Sequence, residues 1–390
     1  MRFPEFSGEW TKTKLGDIGT TLIGLTYSPK DVVPSGGTIV LRSSNIKGGL
    51  TDYNDIVRVN KKIKESIITR VDDLLICARN GSARLIGKNA ILKQEDCGHT
   101  FGAFMMVYRA QNNKFVHQLL NTKRYYAQVG ENLGARINQI TTSDLNSFEF
   151  YFPQTLNEQN KIASLLSLLD DRIATQIKII EDLKKLKSAI SKHLFARKDL
   201  LETTICLSDI ATLKNGYAFQ SSKYNPQGKW KILTIANVSG ERYINDEDCN
   251  CIINLPSDIQ NHQVLKEGDI LISLTGNVGR VSLCKAGNYL LNQRVGLLQF
   301  TNNANREFIY QVLSSRRFEN SMIACGQGAA QMNIGKGDVE NYVLPYSTNA
   351  NNIHLVANIL RSYDEQIINE QRRLSLLTMQ KQYLLAQMFI

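Results

Sequence analysis

Carboxylates and thiols are the first residues to test for chemistry. Acids stand side by side at Asp72-Asp73 and at Asp246-Glu247-Asp248. Paired carboxylates can share a metal or divide acid and base work, but these fall at strand starts or in loops and read as solvated turns. The seven cysteines (77, 97, 206, 249, 251, 284 and 325) form no CxxC pair, and the two nearest, Cys249 and Cys251, flank one residue. Zinc sites of the usual kind need two-residue gaps and a second pair, or histidines in register. The five histidines are scattered, so free thiols are the better reading. A phosphate-binding loop needs four residues between its glycines, then Lys and Ser or Thr. Five residues separate Gly81 from Gly87 here, and Lys88 is followed by Asn89. There is no Gly-x-Ser-x-Gly elbow, no His-Glu-x-x-His, and no Asn/Asp-Pro-Pro-aromatic loop, since Asn225-Pro226 runs into Gln227.

The loops hold a different chemistry. Arg and Lys meet phosphates, and Arg, Asn, Gln, Ser and Thr match the donor and acceptor edges of bases. In the first half these are Arg42, Ser44 and Asn45, then Arg79, Asn80, Ser82, Arg84 and Lys88, then Arg136 and Asn138. The second half offers Thr275, Asn277 and Arg280, then Asn292 and Arg294, then Gln327, Gln331, Asn333 and Lys336. One polar loop alone says little; recurrence at equivalent places says more. Gly81 and Gly279 are expected to let these loops turn tightly or approach a ligand.

The elements that carry these loops come twice. Leu15-Gly16-Asp17-Ile18 returns as Leu207-Ser208-Asp209-Ile210, Gly24 as Gly216, and Asn45-Ile46 as Asn237-Val238. Asp72-Asp73-Leu74-Leu75-Ile76 returns as Gly268-Asp269-Ile270-Leu271-Ile272, and Gln118 as Gln311. Gly134-Ala135 matches Gly328-Ala329, Asp144 matches Asp338, and Ile162-Ala163 and Asp170 match Val356-Ala357 and Asp364. The offset holds at 192–196 along the chain, which marks a tandem duplication.

Each half opens with short apolar runs that read as strands: 39–41, 73–77, 104–108 and 148–152, then 232–235, 269–273, 295–300 and 342–344. Helical spacing covers 114–129 and 306–322. Each half closes on a long helix. From Asn157 to Phe195 there is no Gly or Pro, and apolar residues recur every three or four positions. The last stretch of the chain does the same. Two such stripes are expected to pack antiparallel on each other; the alternative is that each covers its own sheet. The expected class is α+β. Sheet-rich domains span 1–155 and 201–346, and long helices span 156–200 and 347–390.

Of 390 residues, 46 are Lys or Arg and 36 Asp or Glu, a net charge of +10. The excess lies in the first 200 residues, with 29 basic against 20 acidic, while the remainder holds 17 against 16. A polyanionic partner would be gripped mainly through the first half. The first ten residues contain no apolar core of a signal peptide, and charges interrupt the apolar stretch 162–180. A cytoplasmic protein with no membrane partner is expected.

On these residues the chain resembles the specificity subunit of type I restriction–modification systems. The match is carried by the opening Arg2-Phe3-Pro4-Glu5-Phe6, by Leu15-Gly16-Asp17-Ile18, by the Arg79-Asn80-Gly81-Ser82 loop, by the 268–279 run, and by the helix 159–173. The resemblance implies a non-catalytic coiled-coil subunit whose two domains each read one part of an asymmetric, bipartite site on double-stranded DNA. It implies that the two long helices are a spacer that sets the distance between the parts and docks two methyltransferase (modification) subunits, together with motor–nuclease (restriction) subunits. This chain would bind no cofactor; S-adenosylmethionine, ATP and Mg would belong to the partners. The chain departs from its own pattern at Asn352-Ile353-His354, where the first helix has Glu158-Gln159-Asn160. Two other readings compete. A stand-alone nuclease–methylase would need a methyltransferase motif, for which two recognition domains leave no room. A helical adaptor would bind proteins only.

Overall fold

The computed structural model describes residues 1–133, 138–301, 304–326 and 332–389. Two units emerge, residues 1–176 with 373–390 and residues 177–372. Each is α+β and contains one sheet-rich domain together with parts of both long helices.

In the first unit a four-stranded antiparallel sheet runs Gly19–Ile23, Met105–Ala110, Leu74–Cys77, Asn89–Ile91. The second unit builds the same order from Ala211–Asn215, Val295–Phe300, Ile270–Ser273 and Val281–Leu283. A second, mixed sheet in each unit contains one parallel pair, Thr38–Leu41 with Thr100–Phe101 and Trp230–Leu233 with Tyr289–Leu291. A two-stranded ribbon joins Thr11–Lys14 to Glu149–Phe152, and Thr203–Cys206 to Val343–Tyr346. The repeated apolar residues are core: Leu15, Leu207, Ile76, Ile272, Phe115 and Phe308 are fully buried.

Three expectations need correction. The helical stretch 114–129 is two helices, Asn113–Leu119 and Lys123–Asn132, because the Thr122 hydroxyl accepts the Tyr125 amide and caps a new start. Its counterpart likewise divides into Arg306–Leu313 and Arg316–Gly326. The offset also leaves its range: Cys77 pairs with Met105 and Ser273 with Val295, so these partner strands stand 190 residues apart. Finally, the acids are not all solvated turns. Asp73 is 2% exposed and takes both oxygens to Arg109, at 2.7 and 2.8 Å. Asp246 accepts from Lys231, Lys285 and Tyr289; these bonds, led by that of Lys231, hold its carboxyl below the usual range.

Repeated residues have repeated jobs. An added Cβ on Gly24 would stand 2.2 Å from the Gly102 carbonyl, and on Gly216 2.2 Å from that of Asn292, so only glycine fits where these backbones pass. Asn45 accepts the Arg42 amide and donates to the carbonyls of Asp52 and Asp55. Asn237 accepts the Thr234 amide and donates to the Asn245 carbonyl. Asp144 and Asp338 each accept the amide three residues before them and open a short helix.

The long helices run Leu156–Ala196 and Ala350–Met388. In the first unit Ile162, Ala163, Leu166 and Leu169 share a core with Leu385 and Met388, and with Phe115 and Phe152 of the sheet domain. In the second unit Leu194 shares one with Ile353, Val356, Ala357 and Leu360, and with Phe308. Each unit therefore joins the start of one helix to the end of the other, antiparallel, and the same residues also cover a domain. The two packing alternatives are both realised.

A polar clamp sits in each of these cores. In the first, Asp170 accepts from Lys381 of the other helix and from Gln118 of the domain. In the second, Asp364 accepts from Lys187 at 2.6 Å, Gln311 at 2.7 Å and Arg242 at 3.0 Å, and Arg242 also forks onto Glu307. His117 lies beside the first clamp with its Nε2 unpartnered, and burial lowers its pKa to about 4. Tyr310 takes the equivalent place in the second, 5.9 Å from the Lys187 ammonium. Glu158, 1% exposed, holds the N-terminal segment through Arg2 and Trp10, whereas its counterpart Asn352 donates to the Leu200 carbonyl. That is the physical content of the departure in the second helix.

Candidate nucleic-acid interface

Each unit gathers its polar loops at one end of its antiparallel sheet, and the backbone does the gathering. In the first unit the chain leaves the strand Leu74–Cys77 at Ala78, whose amide, like that of Arg79, donates to the Phe104 carbonyl. Ile140 donates back to Ala78, and Arg79 bridges Gln139. In the second unit Leu274 donates to the Arg294 carbonyl, Ile334 donates back to Leu274, and Thr275 bridges Asn333. Three separate stretches of sequence thus meet in the same way in both units.

In the first cluster the Asn80 side chain donates to the Ser43 hydroxyl at 3.0 Å and accepts the Ser82 amide at 3.0 Å, while Asn138 donates to the Gly81 carbonyl. These bonds tie 42–45, 79–84 and 138–139 together. The expected contacts Ser44, Arg79, Ser82 and Arg84 are exposed, and Lys88 is half-buried. Among the described residues Arg79, Arg84 and Lys88 have no carboxylate partner. Arg42 is engaged by Asp55 at 2.7 Å. Asn45 must be corrected: at 1% exposure its amide is spent on the loop's own backbone, and it shapes the cluster from beneath. Arg136 lies outside the described residues.

In the second cluster Thr275 is buried and donates to the Asn333 side chain at 3.1 Å. Asn277 and Arg294 are exposed, and the Asn292 side chain accepts the Arg294 amide. Arg280 lies 3.8 Å from Glu319, and Lys336 lies 3.6 Å from Glu340, long pairs with cations open to solvent that contribute little. Gln327 and Gln331 lie outside the described residues. The expectation for the two glycines splits. Gly279 has φ +76 and lies against Met322, so the turn requires it, whereas Gly81 has open space and no such φ.

Sequence reasoning missed Phe104. It stands just before the strand, not within it, and is 58% exposed among polar loops. The Arg79 guanidinium lies 5.0 Å from its ring. A concavity of about 500 Å³ opens at the other end of the strand Leu74–Cys77, between Arg70, Asp72, Asn112, Lys114 and Asn160. Four of its polar groups pair among themselves, Lys114 with Asp72 and Asn112 with Asn160. Among the described residues no group of three or more His, Cys, Asp or Glu could hold a metal. Burial pushes the Cys77 thiol up to about 11 and that of Cys284 up to about 12, which keeps them as unreactive thiols at neutral pH. Among the described residues no helix is long and apolar enough to cross a membrane.

Comparison with known proteins gives one answer. Residues 7–185 and again 202–379 match the family "Type I restriction modification DNA specificity domain". The chain is similar to the specificity subunit of the type I restriction enzyme MjaVIII from Methanocaldococcus jannaschii, 25% identical over 354 residues, 83% of this chain and 78% of that protein. It is also similar to the StySPI specificity subunit from Salmonella potsdam, 24% identical over 198 residues, which is 46% of this chain and 41% of that longer relative. Among solved structures, the fold is shared with the S subunit of a type I restriction–modification system from M. genitalium, with a TM-score of 0.61 at 18% identity, over 100% of this chain and 99% of that one. A second, from work on assembly and conformational transition of the type I R-M system, has a TM-score of 0.53 at 15% identity over 98% of each chain. With two recognition domains on duplicate frameworks and family matches over most of its length, the chain belongs to the DNA specificity subunits of type I restriction–modification systems.

Proposed function

We propose that this chain supplies the sequence specificity of a type I restriction–modification complex without performing its chemistry. Each domain reads one part of an asymmetric, bipartite site on double-stranded DNA. The long helices set the unread gap and dock two modification subunits and the motor–nuclease subunits. S-adenosylmethionine, ATP and Mg act on those partners.

One observation carries the reading. Two loop clusters are assembled by equivalent backbone hydrogen bonds and present different exposed side chains, Arg79, Ser82 and Phe104 in one and Asn277 and Arg294 in the other. A duplicated frame with unequal contact groups is what reading two unlike half-sites demands, because base edges are told apart by which donor, acceptor or apolar group meets them. The basic excess of the first half adds attraction to phosphates, independent of sequence.

The test is a map of methylated adenines in cells with the modification genes, with and without this chain. A two-part, gapped motif that is methylated only when the chain is present is the expected result. Methylation that does not depend on the chain would overturn the reading, as would methyl transfer by the purified chain alone.

A further inference from the structure

We infer that residues 104 and 294 occupy one and the same reading position in the two domains, and that they discriminate bases by different means: Phe104 by contact with a thymine methyl, Arg294 by hydrogen bonds to a guanine. This deepens the proposed function and rests on it.

The equivalence comes from the backbone. Phe104 immediately precedes Met105, which pairs with Cys77; Arg294 immediately precedes Val295, which pairs with Ser273. The Phe104 carbonyl accepts from Ala78, and the Arg294 carbonyl accepts from Leu274. Both residues therefore leave the end of the sheet at the same point and among the same loops. Both side chains are exposed there.

The contrast comes from the side chains. Residues that repeat between the units support the frame: Asn45 and Asn237 staple loops, Gly24 and Gly216 admit a close backbone, and Gln118 and Gln311 hold clamps. A position that is held identically but filled by Phe in one unit and Arg in the other is free of that duty. A phenyl ring 58% exposed among hydrophilic loops gives little to folding. Stacked beside it, the Arg79 guanidinium has no carboxylate partner among the described residues, and neither has the Arg294 side chain. In the major groove thymine alone offers a methyl group to an apolar side chain, and guanine offers the O6 and N7 acceptors that an arginine matches with two donors.

The experiment uses the full chain assembled with its modification subunits, on duplexes carrying the motif found by methylation mapping. Deoxyuridine, which lacks the methyl group, replaces each thymine in turn. One thymine in the first half-site is expected to weaken wild-type binding about fourfold on replacement, the value of one buried methyl. Phe104→Ala abolishes that difference, and Phe104→Leu keeps part of it. Arg294→Ala relaxes one G·C position of the second half-site, by about 5- to 150-fold in discrimination, and leaves the first half-site unchanged. Deoxyuridine tolerated at every thymine overturns the assignment to Phe104. Arg294→Ala that keeps every base preference overturns the assignment to Arg294. Either result leaves the wild-type motif, and with it the proposed function, standing. Loss of any chain-dependent motif would instead strike the proposed function itself.

Discussion

Replacing Asp364 by Asn tests how the second domain is held to its helices. The Asp364 side chain is 7% exposed and accepts from two cations, Lys187 at 17% and Arg242 at 8% exposure, as well as from Gln311. Removing its charge leaves Glu307 to pair with Arg242 and leaves the largely buried Lys187 ammonium without the carboxylate it now meets. Breaking such a buried pair costs about 3–5 kcal/mol. The equivalent Asp170 is 31% exposed and meets one cation, Lys381, so Asp170→Asn is expected to cost about 1 kcal/mol. Asp182, paired with Lys185 where both are mostly exposed, serves as the surface control with a cost of about 0–1 kcal/mol. The assay is urea unfolding of the full chain read by limited proteolysis, which assigns each transition to a unit and does not assume that both unfold together. Asp364→Asn should shift the transition of residues 177–372. Equal losses for Asp364→Asn and Asp170→Asn would refute the reasoning, because burial and the second cation would then count for nothing.

Gly279→Ala forces a Cβ to 2.7 Å from Met322 at φ +76 and should cost at least about 1 kcal/mol in chemical unfolding, whereas Gly81→Ala should be neutral or slightly stabilising; the reverse order contradicts the turn geometry. His117, held neutral by burial with a pKa near 4 against about 6.5 when unfolded, binds its proton more readily in the unfolded chain. Its contribution is therefore present above pH 6.5 and lost as the pH falls toward 4, and His117→Tyr, the residue type of the second unit, should flatten that part of a stability-against-pH curve. Four residues inserted into the first long helix add about 6 Å and a turn of about 40° past one revolution. If the helices set the gap, the methylated motif should keep both halves and lengthen its unread part by about two base pairs at 3.4 Å each; an unchanged gap with full modification would leave the helices as a docking platform only.

Much of this was legible in the sequence because the frame is made of residues whose jobs are local and repeated. Gly24 and Gly216, Asn45 and Asn237, and Asp170 and Asp364 recur since each copy needs the same close approach, the same loop staple and the same clamp. The long helices were plain from their unbroken apolar spacing. What escaped has equally physical causes. Strands as short as Val32–Val33 carry no readable period. The loop 78–88 is longer than its counterpart 274–280, so the offset drifts, and the equivalence of Phe104 and Arg294 is visible only once the strands are paired. Asn45 looked like a contact because polar loop residues that face ligand and those that bind backbone share a composition; burial separates them. Phe104 looked like strand interior because an exposed aromatic and a buried one are the same letter.

The central claim is that two recognition domains read two half-sites independently. Its most direct measurement replaces residues 1–155 by the corresponding domain of another type I specificity subunit and maps the methylated motif of cells expressing the hybrid. The account predicts a new first half-site, with the second half-site unchanged. A change in both halves together would contradict it.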